Sequence, residues 1–256
     1  MLKHFNIVVL FLLCIFVLLY LGQSQHISWL WYVLLSVVFL VIEFYGAAYI
    51  QSGFHVPAFY KGKTEEKIIA LTFDDGPNSN TSKILEILEK HNAKASFFCI
   101  GKNIKGNETI LKRTFESGHI IANHSFSHDY LYDLKNAVTL EHDMQQANTA
   151  IENVIGKKPL YFRPPYGVTT PGIAKAVKKL KYQVIGWNIR SLDTKGEKPE
   201  IVLQRIERKL KPGSIVLLHD TVAGTEIVVD KLLNLLKEKN YKVVALNELI
   251  QKPAYA

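Results

Sequence analysis

Cysteine is nearly absent from this chain. Its 256 residues include two, Cys14 and Cys99, so no disulfide framework can form. Cys14 falls in an apolar run and Cys99 in a strand-like one, where a buried free thiol is expected. Charge is missing from two long stretches, 5–21 (FNIVVLFLLCIFVLLYL) and 27–42 (ISWLWYVLLSVVFLVI). No small-residue cleavage site follows the first, which argues against a cleaved secretory signal. Neither a Gly-x-Gly-x-x-Gly fingerprint nor a phosphate loop occurs, so nucleotide binding drops from the front rank. No nucleic-acid recognition motif accompanies the net charge of +8, and no nucleic-acid partner is expected. Internal repeats and low-complexity segments are also missing.

The two uncharged stretches come close to the roughly 20 apolar residues that a membrane span needs. The first reading is an all-α membrane segment over 1–50, with helices at about 5–22 and 27–50 joined as a hairpin. Lys3 before the first stretch and Lys61, Lys63 and Lys67 after the second suit a hairpin that returns the chain to the cytoplasmic side. The alternative is one signal anchor and an interfacial helix with Trp29, Trp31 and Tyr32 at the headgroups, which leaves the globular part outside. Either way the chain is an integral membrane protein with lipid as one partner. Of the 31 Lys and Arg, all but Lys3 lie after residue 60. They are spread rather than clustered with aromatics, which suits anionic headgroups or a phosphate-bearing substrate.

After a polar connector at 51–66, short apolar runs alternate with amphipathic ones. Strands are expected at 68–73, 95–100, 120–123, 161–163, 182–187, 214–219 and 242–245. Helices are expected at 82–91, 108–117, 137–154, 172–179, 201–209 and 225–238, the last with a stripe of Ile227, Val228, Leu232, Leu235 and Leu236. Such alternation implies βαβ units and a parallel sheet, and seven strands suit a closed or nearly closed barrel. In such barrels the working residues lie at the carboxyl ends of the strands. Those ends carry Asp74 and Asp75, then Asn123 to His128, then Arg163 to Gly167, then Trp187, Asn188 and Asp193, and finally His219 and Asp220.

The segment Ile68–Pro77, IIALTFDDGP, concentrates the chemistry. Its first half is a buried strand, and Gly76-Pro77 ends it in a tight turn. Asp74 and Asp75 would repel each other unless a metal ion, an arginine or a shared proton lies between them. Taken alone, the pair could simply cap the following helix, where Asn78 to Thr81 are all capable N-caps. His124 and His128 stand at i, i+4, which on a helical turn points both imidazoles at one ion. Two histidines and one carboxylate leave a coordination position open, as a catalytic metal requires. A structural zinc site would be closed by four ligands, usually with cysteine.

TFDDGP at 72–77, HSFSH at 124–128, RPPY at 163–166 and LLH at 217–219 resemble, in order and spacing, the polysaccharide deacetylases of carbohydrate esterase family 4. The resemblance covers about residues 66–250 and sets the catalytic domain at 67–251. It implies a distorted (β/α)7 barrel of the NodB-homology type and hydrolysis of an N-acetyl group on an amino-sugar glycan. It implies Asp74 as general base, with Arg163 holding it ionised, and Asp75, His124 and His128 as ligands of a divalent metal, zinc in the first instance and cobalt or another ion otherwise. Tyr166 would lend its backbone N–H to an oxyanion hole. His219 would be the general acid, oriented by Asp193. Leu217 would line the acetyl pocket, with Pro165, Tyr166 and Trp187 near the sugar.

Each role has a plainer counterpart: Arg163 as a surface arginine, His219 as a hydrogen-bonded strand end, Asp193 as a turn residue, Trp187 as core. The sequence departs from the family pattern at Asp129, where a proline is usual. It departs again at Arg190-Ser191-Leu192-Asp193-Thr194, where Asp-x-x-Asp-Trp is common. Arg190 and Thr194 bear on the shape and charge of the sugar groove. The substrate would be peptidoglycan or another surface polymer if the domain is outside, and a lipid-linked or soluble precursor if it is inside. An O-acetyl esterase of the same fold and a non-catalytic carbohydrate-binding protein are the alternatives.

Overall fold

Residues 3–256 are described by a computed structural model. Helices α1 (His4–Gly22) and α2 (Trp29–Ala48) lie antiparallel, with Phe11 stacked on Phe39 at 4.3 Å between ring centres. Both are long and apolar enough to cross a membrane, with mean hydropathies of 2.8 and 2.0, and almost none of either is buried. There follow β1 (Ala58–Phe59), β2 (Ile68–Asp74), α3 (Ser79–Lys90), β3 (Ala95–Cys99), α4 (Glu108–Glu116) and β4 (Ile120–Asn123). Then come α5 (Ala137–Ile155), β5 (Tyr161–Phe162), α6 (Pro171–Leu180), β6 (Gln183–Ile185) and β7 (Ile189–Arg190). The chain ends with α7 (Pro199–Lys209), β8 (Ile215–His219), α8 (Thr225–Glu238), β9 (Lys242–Val243) and α9 (Leu246–Ile250).

The strands form one curled sheet in the order β1-β6-β5-β4-β3-β2-β8-β7, with β9 beside the start of β2. Every pairing between these strands is parallel. The alternation implies this parallel sheet, and the resemblance implies its distorted (β/α) barrel form. The pleat decides what reaches the site. Along β2, Ile69, Leu71 and Phe73 pack outward with Ile84, Leu88 and Leu232 of the helices, while Ala70 belongs to the inner core. Thr72 and Asp74 share the phase of Ala70, so they point inward at the carboxyl rim. The same phase holds in β8, where Val216 and Leu218 face the helices and Ile215 and Leu217 face the interior, which turns His219 inward.

Four details differ from the sequence reading. Among the described residues there are nine strands rather than seven. The extra two, β1 and β7, are two-residue edge segments, too short to carry a hydrophobic period. The helix α9 is likewise a single short turn with no stripe of its own. Helices α3, α6 and α7 start earlier than the apolar residues suggest, and at α3 and α6 a side-chain cap sets the start. Asn78 accepts from the Thr81 N–H while the Thr81 hydroxyl takes the Asn78 N–H, which is a capping box. Finally, the apolar face of α8 is Val228, Val229, Leu232, Leu233 and Leu236, whereas Ile227 is 47% exposed. Ile227 sits about 100° round the helix from Val228, off the packed face.

The stretch at 51–66 also does more than connect. The Gln51 amide donates to the Trp187 carbonyl at 2.8 Å, and the Thr169 N–H donates to the Ala47 carbonyl at 3.0 Å. Ile50 lies against Gly186, where a Cβ would come within 3.1 Å of it. The end of α2 is therefore seated on the loops that follow β5 and β6, at the same rim as the site.

Leu232→Ala should destabilise the full chain by about 2–5 kcal/mol, and Ile227→Ala should stay within about 0.5 kcal/mol. Urea unfolding in detergent micelles measures both, and equal costs would contradict the face assigned to α8.

Candidate active site

Arg163 holds the rim together. It follows β5 and has no exposed surface. Its Nη1 donates to Asp74 Oδ1 at 2.5 Å and to Thr72 Oγ1 at 3.0 Å. Nε and Nη2 donate to the carbonyls of Ile185 and Gly186 at 3.2 and 3.1 Å, where β6 ends. The guanidinium lies 4.0 Å from the centre of the Phe98 ring, a cation–π contact in a dry interior. Asp74 is thus an oriented, buried carboxylate, with Oδ2 3.8 Å from His124 Nε2.

His124 Nδ1 lies 2.7 Å from the Arg163 carbonyl. A carbonyl only accepts, so Nδ1 carries the hydrogen and Nε2 is the nitrogen turned toward the carboxylates. That Nε2 and His128 Nε2 each stand 3.5 Å from Asp75 Oδ1. These three atoms could hold one metal ion. They fit one well: two imidazoles and a carboxylate converge without cysteine, and the hydrogen bond behind His124 is the usual outer support of a ligating histidine. Burial alone would raise Asp75, but the hydrogen bond and charge of His124, with His219 and His128 beyond, bring it down to about 2. For His124, burial lowers the value and Asp74 and Asp75 more than reverse it. His128 is held down by burial and by His124.

The histidine pair is not on a helical turn, as the i, i+4 spacing suggests, but on a tight loop. Ser125 and His128 have φ of 67° and 46°, in a region that helices do not use. The loop is pinned by groups from elsewhere. Asp143 in α5 accepts from the N–H of Phe126 and of Ser127 at 2.8 and 3.0 Å. Asn123 Oδ1 accepts from the Ser125 N–H at 2.8 Å, and Ser125 Oγ from the His128 N–H at 3.1 Å. Asp129, at the position usual for proline, is half exposed and pairs with Lys135.

On the opposite edge of β2, Asp193 Oδ1 meets His219 Nδ1 at 2.8 Å, and Oδ2 accepts the His219 backbone N–H at 2.7 Å. Ser191 Oγ and the Thr194 N–H also donate to Asp193, at 2.8 and 3.1 Å. Burial lowers His219, but the Asp193 hydrogen bond and the nearby Asp74 carry it above its ordinary value. Asp193 is held down, since the His219 hydrogen bond and charge outweigh the effect of burial.

Asp74, Asp75, His124, His128 and His219 surround a cavity of about 220 Å³ whose other walls are Tyr166, Gly167, Trp187, Arg190, Thr194 and Leu217. That is below the usual range for a whole drug-sized ligand and suits one small acyl group and a water. Tyr166 is in the left-handed region at φ 60°, with its ring edge-on to His128 at 5.0 Å. Trp187 is buried but lines the cavity, and the Arg190 guanidinium lies 5.9 Å from its ring. Arg163, Asp193 and Pro165 are outside the wall. The first two act from behind it, and Pro165 is buried at the start of a short 3₁₀ turn.

Several contributors were not assigned roles from sequence. Thr72 lies within a motif yet reads as strand. Asn123 and Asp143 are buried polar residues on otherwise apolar faces, a signal present in the sequence but unspecific. Asp220 is 1% exposed. Thr81 Oγ1 donates to its Oδ2 at 2.6 Å, while Oδ1 has no partner. Burial raises Asp220, Thr81 opposes, and Asp75 and Asp74 add to the rise, which reaches about 7. Gly76 is required here, because a Cβ would lie 2.2 Å from Asp220 Oδ2.

A parallel barrel with carboxylates and imidazoles at its carboxyl rim has the layout of an enzyme, and comparison with known proteins gives the family. The polysaccharide deacetylase family model matches residues 61–185. The chain is 34% identical over 200 residues to the peptidoglycan-N-acetylmuramic acid deacetylase PdaA of Bacillus subtilis, covering 75% of each chain. It is 34% identical over 203 residues to a peptidoglycan-N-acetylglucosamine deacetylase of Bacillus cereus, covering 75% of this chain and 73% of that one. The crystal structure of the Bc1960 peptidoglycan N-acetylglucosamine deacetylase superposes with a TM-score of 0.73 at 29% identity, over 77% of this chain and 94% of that one. The chain belongs to the polysaccharide deacetylase family, carbohydrate esterase family 4. It is accordingly a hydrolase of amide bonds in a glycan.

The raised His219 contributes stability that is complete below the ordinary histidine value of about 6.5 and is lost as pH rises through its folded value. Asp193→Asn should bring the His219 titration down, as read from imidazole NMR shifts. An unmoved midpoint would show that Asp193 is not its electrostatic partner.

Proposed function

We propose that the chain is a membrane-anchored, divalent-metal-dependent deacetylase that removes N-acetyl groups from an amino sugar of a cell-wall glycan. One observation carries this reading. A carboxylate held by a guanidinium (Asp74–Arg163) and an imidazole held by a carboxylate (His219–Asp193) face one small cavity beside a three-atom donor set. A binding module would have no use for both a base and an acid. Asp75, His124 and His128 would hold the ion. Zinc suits two nitrogens and one oxygen, as does cobalt. When bound, a divalent ion polarises the amide carbonyl and makes water acidic near neutral pH.

The chain's own groups do the rest. Asp74, oriented by Arg163, takes a proton from the attacking water. The Tyr166 N–H, aimed by the left-handed turn, stabilises the charge that develops on the carbonyl oxygen. His219, its pKa raised, delivers a proton to the departing nitrogen. The carbon–nitrogen bond breaks, acetate leaves and the sugar keeps a free amine. Leu217 walls the space for the methyl group, Trp187 lines the cavity beside it, and Arg190 and Thr194 colour the groove. The relatives named above are peptidoglycan deacetylases, which supports a wall glycan rather than a soluble one.

The domain plan is residues 1–50 as the membrane hairpin, 51–66 as a docked connector and 67–251 as the catalytic domain. The hairpin brings the N-terminus and the domain to one side of the membrane; a wall substrate sets that side as the outer one, against the cytoplasmic side that Lys3, Lys61, Lys63 and Lys67 favour. The seating of α2 on the rim loops keeps the cavity near the bilayer surface.

Asp74→Asn should cut acetate release from N-acetylated peptidoglycan fragments by about 100-fold or more while metal content stays unchanged. Near-normal turnover would sink the base assignment. In cells, tags before Met1 and after Ala256 should both be accessible from outside. Opposite sides would overturn the hairpin, and both inside would redirect the substrate to a lipid-linked precursor.

A further inference from the structure

Among the described residues, two groups of three side chains could hold a metal ion, and the second is His4, Glu43 and His55. They come from the start of α1, the last turns of α2 and the stretch after it, so three distant segments meet at one point. His4 Nδ1 lies 2.9 and 3.0 Å from the two Glu43 oxygens, and His55 Nε2 lies 3.8 Å from Glu43 Oε2. One donor atom from each of the three residues lies within 4.8 Å of the others. An ion pair between His4 and Glu43 alone would leave His55 unexplained. Its side chain is 2% exposed, and its Nδ1 is buried with no partner. Burying an imidazole without satisfying it costs free energy that an apolar residue at this position would avoid.

The surroundings are built to hold the three together. The His4 N–H donates to the Phe54 carbonyl at 3.2 Å. The Phe54 ring packs edge-on to His55 at 4.8 Å between centres. Gly46, one turn beyond Glu43, makes room for it, because a Cβ there would stand 2.3 Å from the Phe54 ring. The His4 and His55 rings are 4.8 Å apart.

We propose that His4, Glu43 and His55 form a second divalent transition-metal site, separate from the catalytic cavity, that clips the start of α1 and the end of α2 to the root of the catalytic domain. Two imidazoles and one carboxylate favour zinc or a similar borderline ion over calcium or magnesium, which prefer oxygen cages. Binding displaces the proton that His4 shares with Glu43, and water completes the coordination.

The full-length chain in detergent micelles, loaded with zinc and desalted, should carry two zinc ions by elemental analysis. His55→Ala and Glu43→Gln should each carry one, and His128→Ala should also carry one. Glu43→Gln preserves side-chain size and serves if His55→Ala fails to fold. A single ion lost in His128→Ala but kept in His55→Ala and Glu43→Gln overturns the proposal, as does a count of two in both of these variants. A single ion lost in Glu43→Gln but kept in His128→Ala supports this site and instead counts against the catalytic one.

Discussion

A guanidinium with no path to solvent must have its charge compensated from within, and the compensation Arg163 receives organises the whole rim. Asp74 supplies the counter-charge, and the carbonyls of Ile185 and Gly186 with Thr72 Oγ1 take three more of the donors. The backbone of the same residue reaches the other way. Its N–H donates to the Asn123 carbonyl at 3.0 Å, and its carbonyl accepts from His124. One residue therefore sets the orientation of a carboxylate on β2 and of an imidazole after β4. Such a pair is costly to break, at about 3–5 kcal/mol when one partner is removed, so its geometry is stiff.

Around that fixed point the site separates two kinds of titratable group. Asp74 faces a permanent cation and Asp193 faces an imidazole. Asp220, by contrast, has only a hydroxyl donor for one oxygen and nothing for the other, and it drifts toward the neutral form. Three aspartates within a few strand ends thus meet three different environments. For Asp193 and Asp220 burial acts in the same direction, and the partner decides the outcome.

Much of this was legible beforehand because apolar runs and strand ends are local properties. The apolar run Ile68 to Leu71 announces a buried strand and the punctuation at Gly76-Pro77 states where it stops, whereas the inward phase of Thr72 and Asp74 emerges only from the packing. Caps are visible in part: Asn78 stands among the candidates for its helix, whereas Thr170 precedes any apolar residue of the helix it caps. The loop carrying His124 and His128 has the spacing of a helical turn without being one. Its shape is imposed by Asp143 and Asn123, and spacing alone cannot distinguish a turn of helix from a loop that happens to bring the same two rings together. The edge strands β1 and β7 exist only through their neighbours, so no pattern within them announces a strand. Ile227 shows a further limit: a hydrophobic residue beside a stripe need not belong to it.

Arg163 has one further consequence. In many enzymes the catalytic groups are tolerated at the expense of the fold, so that disabling them leaves a sturdier but idle protein. Here the guanidinium that aims Asp74 also ties the carboxyl ends of β2, β5 and β6. A chain that loses it loses orientation and cohesion together, and marginally stable chains are cleared by cellular proteases. Damage at this position would therefore leave few idle copies to occupy substrate. Selection for persistence of the folded chain would by itself preserve part of its chemistry.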